Sequence, residues 1–143
     1  MKTIAVAESC TGGLTSYLLT EKSGSSKYFM LGVVAYSNQA KAKILGIPQG
    51  LIRKKGAVSS DVALLMAKNV RTIAKTDFGV GITGIAGPTG GSKEKPVGTV
   101  FIAIANKDHT VSRKFLFKGN RSSVRKQAAL KALKLLPCAH LLP

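Results

Sequence analysis

The chain has 143 residues, 45% of them apolar, with 22 Lys and Arg against 6 Asp and Glu, a formal charge of +16. That is enough for one domain with one buried core, too apolar for a disordered chain, and free of any apolar run of membrane-spanning length. The apolar part of the N-terminus is too short for a signal peptide, so a cytoplasmic protein is expected.

In chain order, residues 3–7 (TIAVA) read as a buried strand and residues 13–22 as a helix, with Leu14, Tyr17 and Leu18 at helical spacing. Residues 23–26 (SGSS) form a loop, and the aromatic and β-branched run 28–36 (YFMLGVVAY) a strand. A short helix over 37–45 ends at Gly46, with Pro48 beyond it as a stop signal. Residues 51–58 read as a basic connector. Ser59 or Ser60 then caps a longer helix to about residue 75, whose apolar stripe is Val62, Leu65, Met66 and Val70.

Residues 78–83 are a strand and 84–96 (GIAGPTGGSKEKP) a pliable loop. Residues 97–105 and 110–117 pair as an antiparallel hairpin, and Asn120 caps a last helix that runs to about residue 136, before Pro137. No repeat or linker divides the chain, so one domain over 1–143 is expected. Strands alternating with helices predict a three-layer α/β/α sandwich, and the hairpin makes its sheet mixed.

The positive charge attracts anions, from phosphorylated metabolites to nucleic acid. The basic residues are dispersed, however, and no aromatic RNA-binding motif, zinc finger or basic zipper accompanies them. Nucleic-acid binding is therefore the less favoured reading. Cys10 and Cys138 make no disulfide framework, and with His109 and His140 they form no local metal-ligand spacing, so no metal is expected. The same shortage of histidine leaves a Ser-His-Asp triad poorly supplied.

In open α/β sheets, ligands bind at the carboxyl ends of the strands. Three segments arrive there: 8–13 (ESCTGG), 36–41 (YSNQAK) and 83–91 (TGIAGPTGG). Gly12 and Gly13 let the backbone approach a ligand, and the N–H groups of the helix starting there suit a phosphate or a developing oxyanion. Taken alone, the same step is equally a tight turn.

Together, AESCTGG (7–13), GSS (24–26), VVAYSNQAK (33–41), GAVS (56–59), TGIAGPTGG (83–91) and KPVGTV (95–100) resemble one family, in order and over about residues 4–134. It is the C-terminal domain of the competence/damage-inducible protein CinA, whose stand-alone members are nicotinamide-nucleotide amidases. The resemblance implies a three-layer α/β/α fold with a mixed, mostly parallel five-stranded sheet. It implies hydrolysis of nicotinamide mononucleotide to nicotinate mononucleotide and ammonia, in pyridine-nucleotide salvage, without a cofactor. It also implies a Ser–Lys pair in place of a histidine. A homo-oligomer is expected.

Amide hydrolysis needs a nucleophile, a base, a proton for the leaving amine and an oxyanion stabiliser. Ser9 is the candidate nucleophile, although serine also caps helices and Cys10 beside it is intrinsically more nucleophilic. Lys41 is the candidate base if burial or nearby cations destabilise its ammonium; otherwise it is ordinary surface. Tyr36 either relays a proton or closes an apolar strand. Glu8 would orient Lys41 or a ribose hydroxyl.

For the phosphate, the N–H groups of Thr11, Gly12 and Gly13, together with Ser25, Ser26 and Arg121, are candidates. The loop carrying Gly84, Gly87 and Gly90 would wrap the nucleotide, with Thr83 offering a hydroxyl and Asn38 a further polar group. Lys95 is either an anion partner or surface.

Two features depart from the family pattern. Family members carry a helix before the first strand, whereas this chain begins almost at the strand, so one sheet face is expected to be open or covered by a subunit neighbour. Asn120 stands where an acid is common, which would loosen Arg121. The competing readings are a catalytically silent nucleotide-binding module and, less favoured, a nucleic-acid-binding protein.

Overall fold

The computed structural model describes residues 1–138, so the expectation for His140 lies outside the described residues. The elements are β1 (Ile4–Glu8), α1 (Leu14–Thr20), β2 (Phe29–Val34), α2 (Asn38–Leu45), α3 (Gln49–Lys55), α4 (Ser60–Ala74), β3 (Phe78–Gly84), β4 (Thr99–Ala105), β5 (Thr110–Leu116) and α5 (Arg121–Leu135). A single 3-10 turn, Ser25–Lys27, precedes β2. The sheet order is β2-β1-β3-β4-β5. β1 runs parallel to β2 and β3, while β4 is antiparallel to both β3 and β5, so only β4 is reversed.

β1 is buried along its whole length, and its alternation sorts two cores. Ile4 and Val6 pack with Val80, Ile82, Val100 and Ile102 against Leu19 of α1 and Val124, Ala128 and Ala132 of α5. Ala5 and Ala7 face the other way, onto Leu45, Ile52 and the Val62, Met66, Val70 stripe of α4. Small residues set how closely α4 lies: a Cβ at Gly79 or Gly81 would run into the α4 backbone at Ala67 and Ala63. Both faces of the central strands are therefore covered. The open sheet face expected from the chain's start is confined to edge positions, with Met30 and Val34 exposed on β2 and Val111 and Leu116 on β5.

One segment departs from its expected structure. Residues 51–58, expected as a connector, are largely the helix α3. Pro48 sits at its N-cap with φ −57, already near helical values and with no N–H to satisfy, so the proline that stops α2 also starts α3. The cations Arg53, Lys54 and Lys55 fall in its last turn, where the helix dipole favours them. No helix among the described residues is long and apolar enough to cross a membrane.

Candidate active site

The order β2-β1-β3 means that the chain leaves β1 in one direction for β2 and reaches β3 on its other side. The carboxyl ends of β1 and β3 flank that switch point, where open α/β sheets leave a crevice. A cleft of about 250 Å³ lies there, lined by residues that include Ser9, Tyr36, Asn38, Lys41, Thr83, Gly84, Gly87, Gly90 and Arg121. A larger cavity, about 400 Å³, opens at the opposite rim around Lys2, Asp77 and Asn106. It contains none of the expected site residues.

Ser9 follows β1 directly, its N–H donating to the Ile82 carbonyl at 3.0 Å, and is 7% exposed. Lys41 comes from α2, which Ser37 caps by accepting the Ala40 N–H and which ends at Gly46 in the left-handed region. The Lys41 side chain is among the largest fully enclosed ones in the protein, at 2% exposure. Its Nζ lies 2.9 Å from Ser9 Oγ, 3.0 Å from the Ala35 carbonyl oxygen and 3.3 Å from that of Tyr36.

Burial lowers the Lys41 pKa from its ordinary value, because the charged form loses its hydration. Among the described residues no carboxylate forms an ion pair with it. Nζ donates to all three oxygens, Ser9 Oγ and the two carbonyls; a neutral amine keeps two N–H groups on the carbonyls and turns its lone pair to the Ser9 hydroxyl. Cys10 also lines the cleft, yet burial pushes its thiol up to about 12. At neutral pH it stays a protonated thiol, a poor nucleophile.

Glu8 does neither of the tasks expected of it. Its carboxylate accepts the N–H groups of Thr15 and Ser16, both at 2.9 Å, and the Ser16 hydroxyl at 2.6 Å. It is a buried cap for α1, turned onto the face opposite Lys41, because successive strand residues alternate sides. Two donors of the α1 N-terminus expected to meet a ligand are thus already taken. Thr11 is fully buried, with its hydroxyl unpartnered.

Ser25 and Ser26 lie in the turn that enters β2, whereas the cleft lies where β1, β2 and β3 end. The parallel pairing puts them at the other end of the sheet, out of reach of the site. Lys95 is not idle surface: its Nζ donates to the carbonyls of Lys55 and Val58, pinning the α3–α4 connector beside the cleft.

Arg121 opens α5 and spans the cleft mouth, donating to the Gly87 carbonyl at 2.8 Å and to the Tyr36 hydroxyl at 3.0 Å. Asn120 caps α5 by accepting the Ser123 N–H, and the Arg121 guanidinium donates its hydrogen bonds to Gly87 and Tyr36 instead of the Asn120 side chain. The Thr83 hydroxyl donates to the Ala57 carbonyl at 2.8 Å and so ties β3 to the connector. Gly87 and Gly90 both have φ near +85, as the loop's bends demand (83° and 88°). Sequence reasoning missed Arg125, whose guanidinium binds the carbonyls of Cys10 and Thr11. Its spacing of one helical turn from Arg121 was the available signal.

Among the described residues no group of three His, Cys, Asp or Glu side chains could hold a metal ion.

The family model for the CinA C-terminal domain matches residues 1–139. A CinA-like protein of Geobacter sulfurreducens is 48% identical over 134 residues, covering 94% of this chain and 32% of that protein. Another CinA-like protein, from Anaeromyxobacter dehalogenans, is 50% identical over 136 residues, covering 95% and 33%. The chain thus spans about a third of the length of the curated relatives it matches. Among solved structures, the competence/damage inducible protein CihA of Agrobacterium tumefaciens superposes with a TM-score of 0.93 at 38% identity, covering 97% of this chain and 86% of that one. The competence damage-inducible protein A of Klebsiella pneumoniae gives 0.92 at 30%, covering 97% and 88%.

Proposed function

This chain belongs to the CinA C-terminal domain family, and from that premise we propose that it is an amidohydrolase converting nicotinamide mononucleotide to nicotinate mononucleotide and ammonia. The observation that carries the reading is the buried Ser9–Lys41 contact of 2.9 Å at the switch point of the sheet. A serine hydroxyl is inert at neutral pH until a base takes its proton, and a lysine whose charged form burial disfavours becomes such a base in its neutral form.

In this reading Ser9 Oγ transfers its proton to Lys41 Nζ and attacks the carboxamide carbon. The carbonyl electron pair moves onto oxygen, giving a tetrahedral oxyanion. Collapse breaks the C–N bond while Lys41 returns its proton to the nitrogen, which leaves as ammonia. The nicotinoyl ester on Ser9 is then attacked by water, with Lys41 again as base, and nicotinate mononucleotide departs with Ser9 regenerated. Among the described residues Arg121 donates to two partners and has further N–H groups to offer the substrate phosphate. Tyr36 and the loop bearing Gly84, Gly87 and Gly90 would flank the nucleotide, and Asn38 would offer it a polar contact.

The test is ammonia release from nicotinamide mononucleotide by the purified chain. Steady release by the wild type, and none by Ser9→Ala with an unchanged circular dichroism spectrum, is the expected result. Saturable binding measured by calorimetry with no turnover would replace the enzyme with a silent binding module. Full activity of Ser9→Ala would remove Ser9 from the reaction.

A further inference from the structure

Arg125 stands one helical turn beyond Arg121 on α5, half-buried, and lines the groove between α1 and α5 instead of the cleft. Its Nε donates to the Cys10 carbonyl and its Nη2 to the Thr11 carbonyl, each at 3.1 Å. One planar fork thus grips two successive peptide units of the turn that follows Ser9. Gly12 makes room for it: at φ +58, a Cβ there would stand 3.1 Å from Arg125 Nη2.

In a trans peptide unit the N–H points opposite to the C=O. Turning the Cys10 and Thr11 carbonyls toward α5 therefore turns the N–H groups of Thr11 and Gly12 the other way. The Gly12 N–H is taken by the Ser9 carbonyl at 3.0 Å. The Thr11 N–H has no acceptor among the described residues. Thr11 is fully buried and stands outside the cleft lining, so what the fork fixes is the path of the turn, which the Gly12–Ser9 hydrogen bond passes on to Ser9.

We propose that Arg125 is a positioning residue: its fork fixes the turn after Ser9 and, through the Gly12–Ser9 hydrogen bond, keeps Ser9 Oγ in place beside Lys41 Nζ. The inference rests on the amidase reading for the reaction that Ser9 starts. The gripping of the turn does not depend on it. Lysine cannot replace arginine here, since a single ammonium cannot serve both carbonyls in one plane.

Arg125→Met keeps the aliphatic stem and removes the fork, and Arg125→Lys keeps the charge. With nicotinamide mononucleotide as substrate, Arg125→Met is expected to lose about 10²-fold in kcat with KM changed less than about threefold, and Arg125→Lys to recover less than about a tenth of the wild-type rate. A kcat within about twofold of wild type in Arg125→Met, a loss confined to KM, or a fully active Arg125→Lys would overturn the proposal. A second readout is independent of turnover. In a Cys138→Ser background, the buried Cys10 thiol should react with an aromatic disulfide reagent at least about tenfold faster once the fork is gone, because the turn opens more often. An unchanged thiol rate overturns the proposal. A wild type that releases no ammonia from any pyridine nucleotide sinks the amidase reading, while the thiol rates still decide the positioning role. If Arg125→Met does not fold, Arg125→Lys carries both readouts.

Discussion

Ser9 Oγ and Lys41 Nζ, 32 residues apart in the chain, lie 2.9 Å apart inside the protein, and the amine's other two contacts are both backbone carbonyls. That arrangement makes the pair a unit. Ser9→Ala and Lys41→Met should each lower kcat for nicotinamide mononucleotide by at least about 10³-fold, and the double variant should be no worse than either single one, since neither residue works alone. Steady-state ammonia assays on the three variants test this. Additive losses would mean that the two side chains act separately.

The pH dependence follows from the burial of Lys41. Its pKa is lowered from 10.5, and only the neutral amine can accept the serine proton. The rate therefore rises with pH through the lowered value and levels off above it, with the inflection below 10.5. Stability moves the same way. Unfolded Lys41 holds its proton to higher pH than folded Lys41, so the unfolded state binds more protons in the interval between the two values. The penalty for burying the charge is full below the folded pKa and is relieved as pH climbs to the unfolded one. Lys41→Met should flatten both profiles, as kcat/KM and urea midpoints measured from pH 6 to 10.5 would show.

How much of this was legible in the sequence depended on whether the determining contacts were local. Asn120 and Ser59 announce helix starts because a cap acts over three residues, and both are caps in the structure. Gly46 stops α2 for an equally local reason. The cleft segments were legible because strand ends converge in any such sheet. The role of Glu8 was not, since an acid beside a serine looks the same whether it faces the cleft or turns back onto α1. Strand alternation decides it, and that needs the exact end of β1. Ser26 was legible and misassigned: residues 23–26 precede β2, and the amino end of a parallel strand is the rim away from the cleft. Lys95 and Arg125 reach carbonyls 37 and 115 residues away, which no local pattern encodes.

The Glu8 cap yields a stability prediction. A fully buried carboxylate receiving three hydrogen bonds, two from orphan N–H groups of α1, is expensive to remove, since its donors would stay buried without acceptors. Glu8→Ala should cost about 2–4 kcal/mol in urea denaturation, at the upper end of what cap removal does, because the charge-assisted bonds go with it. Glu8→Gln, which keeps one acceptor oxygen, should cost less. Equal losses for the two would mean that a neutral acceptor oxygen is worth nothing there and that the carboxylate's charge carries the cap.

Asp77 gives a contrasting case at the rim away from the cleft. It ties the start of β1 to the entry of β3: its carboxylate accepts the Thr3 N–H at 2.9 Å, the Thr3 hydroxyl at 3.1 Å and the Lys2 ammonium at 2.9 Å. The Thr3 backbone N–H first, and then Lys2, hold its pKa down to about 2, from an ordinary 3.8. A depressed carboxyl stabilises the fold above the ordinary value, and that contribution fades as pH falls from 3.8 toward 2. The Asp77 side chain is 36% exposed, so solvent screening limits the effect to about 1 kcal/mol or less. Asp77→Asn should therefore lower the urea midpoint modestly at pH 7 and lose that difference near pH 2. The Lys2 share should shrink in high salt while the Thr3 share persists, because only the former is an exposed ion pair. A difference that stays constant from pH 7 to pH 2 would mean that Asp77 acts through packing and not through its charge.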